Sequence, residues 1–537
     1  MYLQNNIKKV GTKTYRSVLL VENYREGSKV KHKTLANLTS WPPALVDGLR
    51  SLIKGESLAR IEDLPWKSGK NFGGLFVLCE IAKELFIDKI LGSSRKGVLA
   101  MLLVLGRILT QGSRRHLTFW KEGQAIEEAL GIRSFDEDDL YETLDWLAEK
   151  QATMEDRWFR LRFENQKVEL FLYDVTSSYL EGDCNELADY GYNRDGKKGK
   201  KQIVIGLLTN QAGNPIAVEV FRGNTSDVTT VPNQIKKMAE RFGVTEVTFV
   251  GDRGMVKKIP IESLKEHGWH YITAITKPQI ESLIDKKVFQ LGLFEEKLAE
   301  IDHEGIRYFL RRNPQRVDEI RENRKGKLQK IKELSEKLNQ RLMEKPKTSP
   351  ESTLKKLKQK IAQLKLGAAM TVEKRDRCLF LTTDEKALEE MSRLDGCYVI
   401  KTDLSGERMK AEEVHSAYKD LSEVEWAFRT MKTGLLEIRP LHHRKATRTR
   451  GCAFVAMLAY AITQSLWRKT SHLDKPLEPM LSSLDQIQTK EIKIRDKWVS
   501  VLPTELREDQ KTILKALKLT LPKTIRRAAE SVATTLF

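Results

Sequence analysis

Three acidic residues stand in contexts that fit one another. Asp174 lies in Leu172-Tyr173-Asp174-Val175-Thr176, and Asp252 in Val250-Gly251-Asp252-Arg253-Gly254-Met255. Glu425 stands seven residues from Tyr418 on one side and seven from Lys432 on the other. The first two close apolar runs of β type; the third lies in a segment of helical pattern. A divalent metal needs hard oxygen ligands that converge from rigid elements. Two strand-end aspartates and a helical glutamate are such a set, and the chemistry it suits is two-metal transfer of a phosphodiester. Convergence requires the two strands to be parallel neighbours, so that both carboxylates leave the same sheet end. A lone strand-end aspartate is more often a turn or a helix cap; two in this order weaken that explanation. Gly251 and Gly254 flank Asp252 with little bulk and leave room for a ligand.

On the helical segment, seven residues make nearly two turns, so Tyr418, Glu425 and Lys432 share one stripe. Arg429 falls on the same side, and Glu423 does not. The acid can complete a metal site while the bases hold phosphate oxygens. Viewed alone, Glu425 and Arg429 are also an ordinary i,i+4 pair.

The elements that must position these groups follow from the rest of the chain. Its 537 residues exceed one ordinary core, so two to four domains are expected. Against 74 Asp+Glu stand 93 Lys+Arg, a net charge of +19, which points to a polyanionic partner and to nucleic acid first. Five scattered cysteines without a CxxC pair imply neither a zinc site nor a disulfide framework. The start, Met1 to Lys13, has no apolar signal core, and Gly451–Trp467 reads as a buried helix rather than a membrane span. A cytoplasmic, nucleoid-associated protein is expected, with no membrane partner.

Residues 1–40 read as a basic β-hairpin, with strands at Thr14–Tyr24 and Lys29–Thr34, and 41–166 as a mainly helical DNA-binding region. From 167 to 275 the order is β-β-β-α-β-α-β, a three-stranded meander followed by alternation, which predicts a mixed α/β sheet. Residues 276–400 break it with a helical hairpin, Leu328 to Leu342 and Leu354 to Leu364, separated by Pro346 and Pro350. Helices return over 401–470, and 471–537 is a basic tail.

The chain resembles the DDE transposases of bacterial insertion sequences, in the branch whose glutamate lies in Tyr-(2)-Arg-(3)-Glu-(6)-Lys. Tyr418, Glu425 and Lys432 match in type and spacing, while Leu421 occupies the arginine position. That leaves the phosphate contact to Arg429, to another base, or unfilled. Ala188–Asp195, Gln202–Leu208, Phe221–Asp227 and Val250–Met255 resemble the same group. The resemblance implies a ribonuclease H-like catalytic core interrupted by an insertion domain. It implies that Asp174, Asp252 and Glu425 are catalytic and hold Mg²⁺, two ions, with Mn²⁺ as a substitute. Tyr418, Arg429, Lys432 and Arg253 become contacts to DNA, as do Arg444, Lys445, Arg448 and Arg450 of the acid-free run His442–Arg450. The implied partners are the terminal inverted repeats of the element and target DNA, with a homodimer in the synaptic complex. The implied activity is DNA cleavage followed by joining of 3′ ends.

Competing classes are a catalytically inactive DNA-binding repressor and another nuclease of the same fold, such as a junction resolvase. The intact carboxylate set disfavours the first, and the long insertion and the context of Glu425 disfavour the second. A nucleotide-driven motor lacks its phosphate loop, since Gly196–Lys201 does not fit GxxxxGK[ST].

Overall fold

A computed structural model describes residues 1–537 apart from 11–12, 56–65, 164–167, 243, 245, 254, 257, 435, 495–496, 503–504, 523 and 526–537. Gly254, Leu435 within the helical region expected over 401–470 and parts of the basic tail therefore lie outside the described residues. The chain forms two compact units. One comprises Met1–Asn71, Ile487–Leu506 and Leu521–Phe537; the other comprises Phe72–Gln486 and Arg507–Thr520.

In the first unit, Tyr2–Val10, Lys13–Glu26 and Lys29–Asn37 form a three-stranded antiparallel sheet, where the sequence predicts only the last two as a hairpin. The added strand carries Asn5 and Asn6, which disfavour isolated β structure. Pairing supplies its register, with Asn5 opposite Val18. Val18 and Leu38 pack with Val46 of helix Pro43–Ile53. A second sheet joins Trp66–Asn71 to Gln488–Ile494 and onward to Lys497–Val501 and Thr524–Ile525.

The second unit is built on an eight-stranded mixed sheet. Its strands are β1 (Leu170–Tyr179), β2 (Gln202–Asn210), β3 (Pro215–Arg222), β4 (Thr248–Gly251), β5 (His270–Ala274), β6 (Ala299–His303), β7 (Ile306–Arg312) and β8 (Cys397–Thr402). Their spatial order is β6-β7-β8-β5-β4-β1-β2-β3. The meander β1-β2-β3 is antiparallel, β4 lies parallel to β1, and β5 lies parallel to β4. β1 is central and covered on both faces, which is why Leu170–Tyr173 reads as an unbroken apolar run. One face packs Phe171, Tyr173 and Phe249 against Val231, Ile235 and Met238 of helix Asp227–Glu240. Helix Ala446–Thr470 is almost wholly buried. It crosses helix Glu137–Phe163 closely at Gly451, where a Cβ would lie 2.2 Å from the Leu144 carbonyl oxygen. Among the described residues no helix is long and apolar enough to cross a membrane.

The insertion adds to this sheet as well as interrupting it: β6, β7 and β8 extend the edge beyond β5. These strands thus find their partners only in three dimensions. Helices Pro314–Glu344 and Pro350–Gln363 form the expected pair and share a core of Ile331, Leu338, Leu342, Leu357 and Ile361 with the strand pair Met370–Arg375 and Cys378–Thr383. The bidentate pair of Arg324 with Asp395, at 2.6 and 2.7 Å, ties the long helix to the start of β8.

Glu155, fully buried on helix Glu137–Phe163, clamps this helix to the sheet. Its Oε1 accepts from Gln151 Nε2 at 2.8 Å and from the Val218 amide at 3.1 Å, while Oε2 meets Lys237 at 3.5 Å and Arg241 at 3.2 Å. Removing one partner from a buried ionic network leaves charge without compensation. Glu155→Ala is therefore expected to cost about 3–5 kcal/mol, read as a lower denaturation midpoint at unchanged m-value. A loss below about 1 kcal/mol, the scale of an exposed pair, would contradict the clamp.

Candidate active site

Parallel pairing of β1 with β4 runs Leu170 with Thr248, Phe171 with Phe249, Leu172 with Val250 and Tyr173 with Gly251. One step further lie Asp174 and Asp252, side by side on neighbouring strands: Asp252 just past the end of β4, but Asp174 in the middle of β1 rather than at the strand end the sequence suggests, because β1 runs on to Tyr179 in its pairing with β2. Neighbouring strands are about 4.8 Å apart. Asp174 is half-buried, and Asp252, just past its strand, is exposed.

Glu425 lies on helix Leu421–Lys432, which packs on β1. Leu421, Val424, Ala427, Phe428 and Met431 bury one face and turn Glu425 and Arg429 outward. Within the helical region expected over 401–470 there is a break at Asp420, so Tyr418 belongs to the preceding helix, Ala411–Lys419. Its hydroxyl nevertheless donates to Asp252 Oδ1 at 3.4 Å.

Electrostatics link the three carboxylates. Burial pushes the Asp174 carboxyl up to about 7; the Val175 amide opposes this, the charges of Asp252 and Glu425 add to it, and Arg194 offsets part. Tyr418 is pushed up as well, chiefly by burial, then by Asp252. An all-oxygen set whose members repel one another suits a hard divalent cation, which relieves the repulsion. Among the described residues, no three His, Cys, Asp or Glu side chains close into a ready-made metal cage. The carboxylates are thus coupled by charge without forming a closed set.

Lys432 shares neither the solvent exposure nor the direction of Glu425. Its ammonium is buried and bonds Asp195 Oδ1 at 2.9 Å; Arg439 Nη1 reaches the same oxygen at 2.8 Å. The other oxygen of Asp195 accepts from the Tyr179 amide at 3.2 Å. Burial, with Arg439 and Arg194 nearby, holds Lys432 below the ordinary lysine range despite Asp195. The single stripe read from the sequence thus divides, with Glu425 and Arg429 facing out and Lys432 facing in. Leu421 is itself a core residue, so no base could project from the signature's arginine position without leaving the core.

Arg194 is the site residue that sequence reasoning missed. It sits in the Ala188–Asp195 motif, bonds both carboxylate oxygens of Asp227 at 2.5 and 2.6 Å, and places positive charge beside Asp174. The signal lay in two motifs, Ala188–Asp195 and Phe221–Asp227, whose pairing no linear spacing reveals.

The remaining cations divide by partner. Arg253, Arg444 and Lys445 are exposed, and Arg450 is half-buried. Arg448 pairs with Asp145 at 3.3 Å and stacks over the Tyr141 ring at 4.5 Å. Arg429 lines a cleft with Glu425, Trp426, Trp467 and Arg468.

Residues 166–462 match the family described as "Transposase DDE domain", and residues 4–63 match the "IS1634 family transposase, N-terminal domain". No curated protein matches significantly. Similar solved structures include a piggyBac transposase synaptic complex with hairpin DNA, at 10% identity and TM-score 0.34 over 76% of this chain and 78% of that one. A Mos1 transposase paired-end complex with the left transposon end aligns at 12% identity and TM-score 0.15, over 34% of this chain and 58% of that one. Neither superposition is close enough to bear on the site.

Proposed function

The chain belongs to the DDE transposases of insertion sequences, and on that footing we propose that it binds the ends of its element, cuts them and joins the 3′ ends to target DNA. The observation that carries this reading is the coupling of Asp174 to Asp252 and Glu425, with Asp174 on central β1 beside Asp252 at the end of parallel β4. The strand order, an antiparallel meander followed by two parallel strands, supports the ribonuclease H-like core that such chemistry uses.

Asp174, Asp252 and Glu425 would hold the divalent cations, two Mg²⁺ in this reading. When bound, these ions supply activation of the attacking oxygen and stabilisation of the leaving one in an in-line displacement. The chain's own groups do the rest. The Tyr418 hydroxyl fixes Asp252 through Oδ1. Arg194 moderates the repulsion at Asp174 while Asp227 holds its guanidinium. Lys432 and Arg439 anchor the glutamate helix to Asp195, and exposed Arg253, Arg429, Arg444 and Lys445 are placed to meet DNA phosphates.

Glu425→Ala tests the assignment. Cleavage of labelled element-end DNA with Mg²⁺ is expected to fall by roughly 10³-fold or more, because the group acts as part of a unit. Binding of the same DNA in a gel-shift assay should stay within a factor of about two, since Glu425 contributes no positive charge to the phosphates. Cleavage at the wild-type rate would overturn the triad.

A further inference from the structure

Away from the carboxylates, two arginines are buried without the partner that burial demands. Arg107 and Arg114 are each 7% exposed. Two other guanidiniums away from open solvent each grip a carboxylate with two bonds, Arg324 on Asp395 and Arg194 on Asp227. Arg107 reaches only the Glu437 carbonyl at 3.5 Å and Cys452 Sγ at 3.7 Å. Arg114 reaches His443 Nε2 at 3.4 Å and the same Sγ at 3.8 Å, and its Nε has no hydrogen-bond partner. All of these residues line one cleft of about 230 Å³, bounded by Tyr141 and by residues 437–443. Burial, with Arg114 beside it, holds Arg107 down at about 10. Cys452, whose thiol His443 and the two guanidiniums hold well below the ordinary thiol range, offsets part of this charge, and exposed Glu437 adds less. One thiol sulfur shared by two buried guanidiniums leaves the cleft short of negative charge, and a further anion would complete the set.

We propose that this cleft is a phosphate-binding site in which the Arg107 and Arg114 guanidiniums, with His443 beside them, take the oxygens of one phosphate group supplied by the DNA backbone. Guanidinium forks match phosphate geometry and form charge-assisted bonds. The DNA source rests on the function proposed above; the phosphate site itself does not. Placement favours the backbone. The Leu441 amide donates to the Tyr179 carbonyl, and the Glu181 amide to the Leu441 carbonyl, which fastens the cleft wall to the end of β1. Tyr179 is five residues beyond Asp174 on that strand, roughly 17 Å at a strand's rise. That span equals about five base-pair steps. Exposed Arg444 and Lys445 follow His443 directly in the chain.

Cys452, 3% exposed at the cleft floor, reports occupancy without any mutation. In full-length protein, alkylation of Cys452 by iodoacetamide is followed by peptide mass spectrometry in chloride or phosphate at equal ionic strength. Phosphate is expected to slow alkylation by 1 + [L]/Kd, about tenfold at ten times Kd. It should also raise the melting temperature saturably. Arg107→Met and Arg114→Met are each expected to melt higher than wild type in chloride, because a buried charge is gone, and to lose the phosphate-dependent shift. Indifference of wild-type Cys452 and melting to phosphate overturns the site, whatever cleavage assays show, as does an equal shift in both variants. In a second arm, element-end DNA replaces phosphate. Protection of Cys452 by bound DNA supports the backbone as source; bound DNA that leaves Cys452 reactive, while phosphate protects it, overturns that source and assigns the site to free phosphate.

Discussion

Asp174→Asn abolishes DNA cleavage and, in metal-free buffer at pH 8, makes the protein more stable. The two effects have one cause. In the fold the Asp174 carboxyl is raised from 3.8 to about 7, first by burial and then by Asp252 and Glu425. A carboxyl raised on folding is penalised only when ionised, so the penalty is absent below about pH 4, grows through the interval up to about 7 and is complete above it. Each unit corresponds to about 1.4 kcal/mol. Discounted for partial exposure, the penalty at pH 8 is about 2 kcal/mol. Asparagine keeps the shape and carries no charge, so its advantage over wild type should be present at pH 8 and vanish near pH 4. Mg²⁺ should reverse the order by stabilising wild type alone. For the same reason the apparent affinity of wild type for Mg²⁺ should increase as pH rises through about 7, where the proton no longer competes. Cleavage should fall by roughly 10³-fold or more. Melting curves with EDTA at pH 4 and pH 8 check the stability half, and an asparagine variant less stable than wild type at pH 8 would refute it.

Asp195→Ala is expected to lower stability by about 3–5 kcal/mol and to cripple cleavage, although Asp195 binds no metal in this reading. Its carboxylate, 1% exposed, is among the described residues the sole ion-pair partner of two cations, Lys432 and Arg439. Removing it strands both, whereas Lys432→Met leaves the Asp195–Arg439 pair intact and should cost distinctly less. The double variant Asp195→Ala with Lys432→Met should recover part of the loss, a non-additivity that a mere cavity does not produce. Asp195 is a positioning residue for the glutamate helix, so single-turnover cleavage should slow while binding of element-end DNA is nearly kept. Denaturant titrations of the three variants settle the energetic claim; equal costs for the two single variants would sink it.

How far the sequence reaches differs from element to element. His270–Ala274 and the alternation around it are read directly, because an apolar run bounded by turn residues has few other uses. The helix pair of the insertion follows from its three-and-four leucine spacing and from Pro346 and Pro350. By contrast, Tyr2–Val10 is too polar to be recognised before its partner is known, and β6 to β8 look like fragments because their neighbours are remote in sequence. The break at Asp420 is also invisible, since it joins two helical stretches by a residue that is itself in helical conformation.

The sequence alone determined the candidate acids and the strand and helix on which each sits, because side-chain type and local periodicity are local properties. Only the tertiary structure decided their company. It set β4 parallel to β1, so that Asp174 and Asp252 become neighbours and share charge with Glu425. It turned Lys432 inward to Asp195, brought Arg194 beside Asp174, and left Arg107 and Arg114 facing one cleft with no carboxylate bonded to either. Burial and charge pairing are set by groups that meet only on folding, so no spacing along the chain encodes them.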